Sequence, residues 1–248
     1  MVFKKDGSTH HEGIANELAV IDRLNELALF EDEVTHLGGT GHKADAVAGE
    51  VGISIKLKKD ARTGSYDYVN TSKVSDFLPA DLDDEASDFL DSARARRDEV
   101  GDHVETEVRE DVKAFTAGVL DALSGEALTD LLRHVADAQE GMEVVVTDQA
   151  TNTLHTKNAD DFEFATLLRD GFTVETVGSA PGSRKTVFVK GDERIDVGVR
   201  VRFVLNNGVG ALIGRSSANK NSTWTLKVQQ DKVTRVLAES GWKVFPLA

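Results

Sequence analysis

Residues 38–59 read GGTGHKADAVAGEVGISIKLKK, and the fold turns on this stretch. Two short alternating runs, Ala44–Ala48 and Gly52–Lys58, are separated by Gly49-Glu50-Val51. Alternation with a period of two, bounded by glycines, predicts a β-hairpin. Asp45 and Lys56 then sit on different strands, each near a point where the other can reach it.

Upstream, residues 1–12 are polar and expected to fray, with His10 and His11 at the surface. Residues 13–29, GIANELAVIDRLNELAL, place Ile14, Leu18, Ile21 and Leu24 or Asn25 on one helical stripe. Glu17 falls on or beside that stripe, where an unpaired charge is costly. Its expected role is a carboxylate aimed at a cation next to Asp45. Downstream, DARTGSYDYVNTSK over 60–73 reads as a polar loop with a short strand.

From about Lys73 to Gly141 the period is helical. Val100, Val104, Val108, Val112, Phe115, Val119 and Leu123 predict one long helix near 97–123, and Glu126–Glu140 a second, jointed at Ser124-Gly125. After Gly141 the period shortens. Met142–Asp148, Thr153–Lys157, Phe172–Val177, Thr186–Lys190 and Ile195–Leu205 read as strands, with a short helix near Asp161–Arg169. Asn206-Asn207-Gly208 is a tight-hairpin signal. A loop over Gly214–Ser222, a strand over Trp224–Gln229, a helix over Asp231–Ser240 and a last strand after Trp242 complete the chain. The expectation is a mixed α/β fold of one domain over 1–248. Within it lie a helix and hairpin (13–73), an acidic helical segment (74–143), a strand-rich segment (144–205) and a basic loop-strand-helix (206–248).

Cysteine is absent, which excludes disulfides and cysteine-bound zinc. His36 and His42 flank a glycine loop at a spacing that fits no strong zinc motif. No apolar run is long enough to span a bilayer and the N-terminus lacks an apolar signal core, so the expectation is a cytoplasmic protein without membrane association. The formal charge is −14, but it is unevenly spread. Residues 74–143 hold 6 basic and 20 acidic side chains, residues 198–248 hold 8 and 2, and residues 38–73 hold 6 and 4. The regional balance matters more than the total for meeting a polyanion.

Phosphodiester hydrolysis needs a divalent cation to activate water and offset charge in the transition state. Mg²⁺ takes a few carboxylate and carbonyl oxygens and keeps several waters. Asp45, Glu17 and the main-chain carbonyl of Ile55 supply such oxygens, and Lys56 supplies an ammonium for the water or the phosphate. No Walker A loop, dinucleotide-binding glycine motif or nucleophile elbow is present.

Glu17, Gly38-Gly39, Lys43-Ala44-Asp45 and Ile53-Ser54-Ile55-Lys56 together resemble the PD-(D/E)XK nuclease superfamily, most of all type II restriction endonucleases and related phage nucleases. The resemblance covers roughly residues 13–73. It implies a central mixed sheet flanked by helices, Mg²⁺ dependence (Mn²⁺ substituting) and double-stranded DNA as substrate. A homodimer is expected if both strands of a palindrome are cut. Two positions depart from the pattern. Ala44 replaces the usual proline, and Ser54 stands where an acid is expected, so Glu17 is the candidate to supply that carboxylate. A phage-type nicking, homing or junction-resolving nuclease with the same site is an alternative, as is a non-catalytic DNA-binding protein on a decayed nuclease fold. Expected DNA contacts are Lys43, Lys58, Asn70, Thr71, Ser72 and Lys73 near the hairpin, and Arg215, Asn219, Lys220, Asn221, Lys227 and Gln229 in the basic C-terminal block.

Overall fold

The structure, a computed structural model, describes residues 8–38, 44–58, 66–71, 73–96, 99, 104–215, 222–230 and 232–247. In chain order it runs α1 (Ser8–Glu26), β1 (Val34–His36), β2 (Ala46–Ala48), β3 (Val51–Lys58), β4 (Tyr66–Thr71), α2 (Ala80–Arg96), α3 (Val104–Ala122) and α4 (Glu126–Asp137). There follow β5 (Glu143–Asp148), β6 (Thr153–Asn158), α5 (Glu163–Arg169), β7 (Thr173–Val177), β8 (Ser183–Lys190), β9 (Glu193–Ile195) and β10 (Val199–Leu205). Last come α6 (Gly208–Leu212), β11 (Trp224–Gln230), α7 (Val233–Ala238) and β12 (Lys243–Pro246). The chain is a mixed α and β protein. Where the sequence reading draws one domain, the contacts fall into two compact units. One comprises residues 1–64, 138–166 and 232–248, the other 65–137 and 167–231.

The first unit is built on a mixed sheet of order β1-β2-β3-β5-β6-β12. The predicted hairpin is there: β2 and β3 are antiparallel, with Ala46 opposite Ile53 and Ala48 opposite Val51. Gly49 takes the turn at a φ of 57°, and a Cβ there would run into the Asp32 carboxylate, so this turn demands glycine. β3 then pairs in parallel with β5, from Ile53 opposite Glu143 to Lys58 opposite Asp148. Alternation sends Ala46, Ile53 and Ile55 to one face, where Val20, Ile21 and Leu24 of α1 bury them. The helix begins at Ser8, five residues ahead of the predicted span. Its buried stripe runs through Val20, Ile21 and Leu24, and Leu18, expected inside, is exposed. Asn25 fixes the end of the helix: its side chain accepts from Val34 N at 2.7 Å and donates to Val34 O at 3.0 Å.

The second unit is built on an antiparallel sheet of order β4-β11-β10-β8-β7, with β9 beside β8. The short strand expected after the hairpin exists as β4, but it pairs with β11 in this second sheet rather than extending the hairpin. Helices α3 and α4 pack on strands of this sheet, and α2 packs on α3. Their shared core is aromatic. Phe203 and Trp224 stack at 4.8 Å, Phe115 lies 5.2 Å from Trp224, and Trp224 Nε1 donates to Ala86 O at 2.7 Å. Asn206-Asn207-Gly208 does not make a tight hairpin. Asn207 and Gly208 adopt φ of 64° and 75° and start α6, so β10 and β11 are joined by a longer excursion.

Candidate active site on the hairpin

Beyond Ala46 the regular ladder between β2 and β3 slips. Asp45 N donates to Ile53 O at 2.8 Å, and Ile55 N donates to the Asp45 carboxylate, Oδ2, at 2.6 Å. The side chain thus takes a main-chain donor that the slipped ladder leaves over. Because N–H and C=O of a strand residue point to the same side, the Ile55 carbonyl is directed toward Asp45 as well. Ser54 Oγ lies 3.5 Å from the same Oδ2, and Lys56 Nζ lies 3.7 Å from it. Alternation carries Ser54 and Lys56 to the face opposite Ile53 and Ile55, away from α1. Asp45 and Lys56 keep about a quarter and a third of their side-chain surface in solvent. The structure therefore brings together Asp45, Ser54, Ile55 and Lys56, as the sequence spacing predicted.

Glu17 is placed differently. Its Oε2 lies 2.9 Å from His36 Nε2, and both side chains are about one quarter exposed. His36 is the cross-strand partner of Ala46, whose side chain is buried under α1. The Glu17–His36 pair thus belongs to the helix-covered side of the sheet, and Ser54 and Lys56 to the other. The partner of Glu17 is His36, a pairing that sequence reading missed. His42 and Lys43 lie outside the described residues. Among the described residues no group of three or more histidine, aspartate or glutamate side chains converges to hold a metal. Asp45 and the Ile55 carbonyl are hard oxygen donors of the kind Mg²⁺ takes. Glu17, paired with His36 on the helix-covered side, stands apart from them.

The same face continues across β5 and β6 with further charged groups. Lys58, expected at a phosphate, is instead largely buried, and its Nζ bonds Asp148 Oδ2 at 2.5 Å because the parallel register sets the two residues side by side. Burial pushes the Asp148 carboxyl up, but the Lys58 and Ala150 hydrogen bonds and the Lys58 charge outweigh it and hold the group below its ordinary value. His155, on the adjoining strand, has its Nε2 2.8 Å from Thr153 Oγ1 and its Nδ1 buried with no hydrogen-bond partner among the described residues. Burial holds its pKa below the ordinary value, partly opposed by the Asp148 charge. At the β6 end Lys157 and Glu239 form an ion pair at 2.8 Å with side chains 2% and 7% exposed. The Lys157 ammonium also stands over the Phe162 and Trp242 rings.

The remaining expected DNA contacts divide by position. Asn70 is exposed on β4. Thr71 uses its hydroxyl to accept from Lys73 N at 3.0 Å. Lys227 sits opposite Asn70 and 3.9 Å from Asp67, and Arg215 lies 4.0 Å from Glu105. Gln229 is only 6% exposed, so its amide is not offered to a base edge, contrary to expectation. Ser72, Asn219, Lys220 and Asn221 lie outside the described residues.

Comparison with known proteins finds no family model that matches the chain, no similar curated protein and no similar solved structure. Among the described residues no helix is long and apolar enough to cross a membrane.

Proposed function

We propose that the chain is a Mg²⁺-dependent endonuclease that hydrolyses phosphodiester bonds of double-stranded DNA, with Asp45 and Lys56 at its centre. The observation that carries this reading is the cluster around Asp45 Oδ2, where a carboxylate, the Ile55 main chain, the Ser54 hydroxyl and the Lys56 ammonium meet within 3.7 Å on a partly exposed face. Asp45 and the Ile55 carbonyl would hold the cation, with Mn²⁺ as a substitute. When bound, the cation would lower the pKa of a water and offset charge on the phosphate. Lys56 orients the attacking water or meets the developing charge on the phosphate oxygens. Ile55 N, donating at 2.6 Å, orients the Asp45 carboxylate, and Ser54, its hydroxyl 3.5 Å away, stands where the resemblance expects a second acid. Glu17, the candidate for that acid, is engaged by His36 on the helix-covered side instead.

The finer form of the reading is sequence-specific cleavage by a homodimer, as in type II restriction enzymes. Linear unmethylated phage DNA incubated with Mg²⁺ tests it. Discrete fragments, lost in Asp45→Ala and in Lys56→Ala, are the expected result, whereas cleavage that survives Asp45→Ala would reject the site. A smear, or cutting confined to branched substrates, would indicate a less specific or junction-directed enzyme. The engagement of Glu17 by His36, with serine at position 54, favours a second reading, a DNA-binding protein that has lost cleavage. Duplex binding without Mg²⁺-dependent cutting would establish it.

A further inference from the structure

In the second unit α2 and α3 pack on each other and leave a groove of about 410 Å³ between them. Its floor is apolar. Ala93 and Val108 are buried there, and Phe89 and Phe115, half-buried, stack at 4.8 Å. Trp224 lies 5.6 Å from the first ring and 5.2 Å from the second, so both are held from inside while part of each stays in solvent. On α2 the lining residues recur at 85, 88, 89, 92, 93 and 96, the spacing of one helix face, over roughly 16 Å of axis.

The walls of the groove are acidic. Glu85, Asp88 and Asp111 line it and are exposed. Among the described residues that line it Arg96 is the only cation, and it is already shared between Glu107 at 3.3 Å and Asp111 at 3.5 Å. Glu85 and Asp88 form no ion pair among the described residues. A solvated helix face accounts for carboxylates of this kind. It does not account for two phenylalanine rings left partly in water between them, since apolar area in contact with water is costly.

A groove with exposed walls leaves a small ligand largely in solvent, unlike the clefts that bury most of a ligand's surface. A helix laid along it brings its own outer face, and about three turns match its length. An aromatic floor between acidic walls calls for apolar residues on one stripe of that helix, flanked by lysine or arginine. A second copy of this chain does not supply one, because α1, α2, α3 and α4 each carry more carboxylates than lysines and arginines. We infer that the groove docks a basic amphipathic helix of a partner protein, with its apolar stripe on Phe89 and Phe115 and its cations beside Glu85, Asp88 and Asp111. The inference goes beyond the nuclease reading and does not depend on it.

The test is fluorescence anisotropy of the full chain with a short labelled peptide of leucine and lysine patterned as an amphipathic helix, beside a peptide of the same composition in strict alternation. The helix-patterned peptide should bind and gain helical circular dichroism. Its affinity should fall by about 10-fold or more in Glu85→Lys/Asp88→Lys, where like charges then meet. Both positions are exposed, so the variant keeps the fold, and an unshifted thermal midpoint checks this. Asp137→Lys/Asp192→Lys makes the same change of net charge at exposed positions away from the groove and should stay within about twofold at physiological salt. Ser92→Trp, which fills the groove from an exposed position, should weaken binding without changing charge. Equal losses in the two charge variants, or no loss in Ser92→Trp, reduce the interaction to net charge and overturn the groove. Equal binding of the alternating peptide overturns the helix as its occupant, and a wild-type chain that binds neither peptide overturns the site.

Discussion

The two sheets share a plan, with helices over one apolar face and charges on the other, but they set those charges differently. In the first unit the cations of the charged face stand beside carboxylates: Lys56 near Asp45, Lys58 on Asp148, Lys157 on Glu239. In the second unit the register sets Arg202 opposite Lys227 and Arg200 opposite Lys185, and the carboxylates come from the sides, with Asp196 paired to Lys185 and Asp67 3.9 Å from Lys227. A charge removed from water is tolerable when its counter-charge is built in. The first face is neutralised from within, which suits a site that orients and polarises one bond. The second opposes like charges across its strands and answers them with carboxylates beside the lysines.

The sharpest way to break this contrast is at Asp45. Asp45→Ala removes the built-in partner of Lys56, and cleavage should fall by at least about 10²-fold, the scale of losing one electrostatic group at a reacting centre. A time course of nicking on supercoiled DNA measures it. Next is the buried pair: Lys157→Ala or Glu239→Ala strands a charge and should cost about 3 kcal/mol in urea unfolding. Lys157→Met with Glu239→Leu should recover most of that loss, since an apolar replacement of both partners removes the desolvation cost.

Titration sharpens the contrast further. The His155 pKa is lowered in the fold, so the unfolded chain binds a proton more readily. The stability this confers is present above the ordinary value of 6.5 and is lost as the pH falls below it toward the folded pKa. Asp148, also lowered, adds a loss of the same sign at more acid pH, below its ordinary 3.8. Glu239, raised by burial despite its Lys157 partner, contributes with the opposite sign. Thermal melts from pH 7.5 to 5 should show a decline that is shallower in His155→Gln. The smallest effect belongs to the second sheet: Lys227→Gln alone should change stability by no more than a few tenths of a kcal/mol, because it removes the opposed Arg202 charge and the long Asp67 ion pair together. A fall of more than about 1 kcal/mol would mean that Lys227 is held by its neighbours rather than set against them.

The hairpin is the part of the site that local sequence wrote out. Period-two alternation and the glycine at position 49 place Asp45, Ser54, Ile55 and Lys56 within one hairpin, so the cluster needs no distant partner to form. The α4 and β5–β8 regions were legible for the same reason, since each is a periodic run with its own punctuation. Glu17 marks where that reading runs out. Its partner is chosen by how α1 lies on β1, through Asn25 and Val34, and a stripe read from Ile14 and Leu18 turns the helix the wrong way. Leu18 is exposed and Val20 buried because packing, not hydropathy alone, selects the inward stripe.

By itself the sequence determined the kinds of elements, the hairpin that joins Asp45 to Lys56, and the segregation of acid into the middle of the chain. These follow from interactions over a few residues, where steric periods and turn chemistry act directly. Only the tertiary structure decided that β3 runs parallel to β5 across an intervening stretch that contributes β4, α2 and α3 to a second sheet and its helices. It alone set Lys58 on Asp148, Glu17 on His36 and Arg202 against Lys227. Those pairings are fixed by strand register between segments far apart in the chain, and register depends on which faces can be buried together.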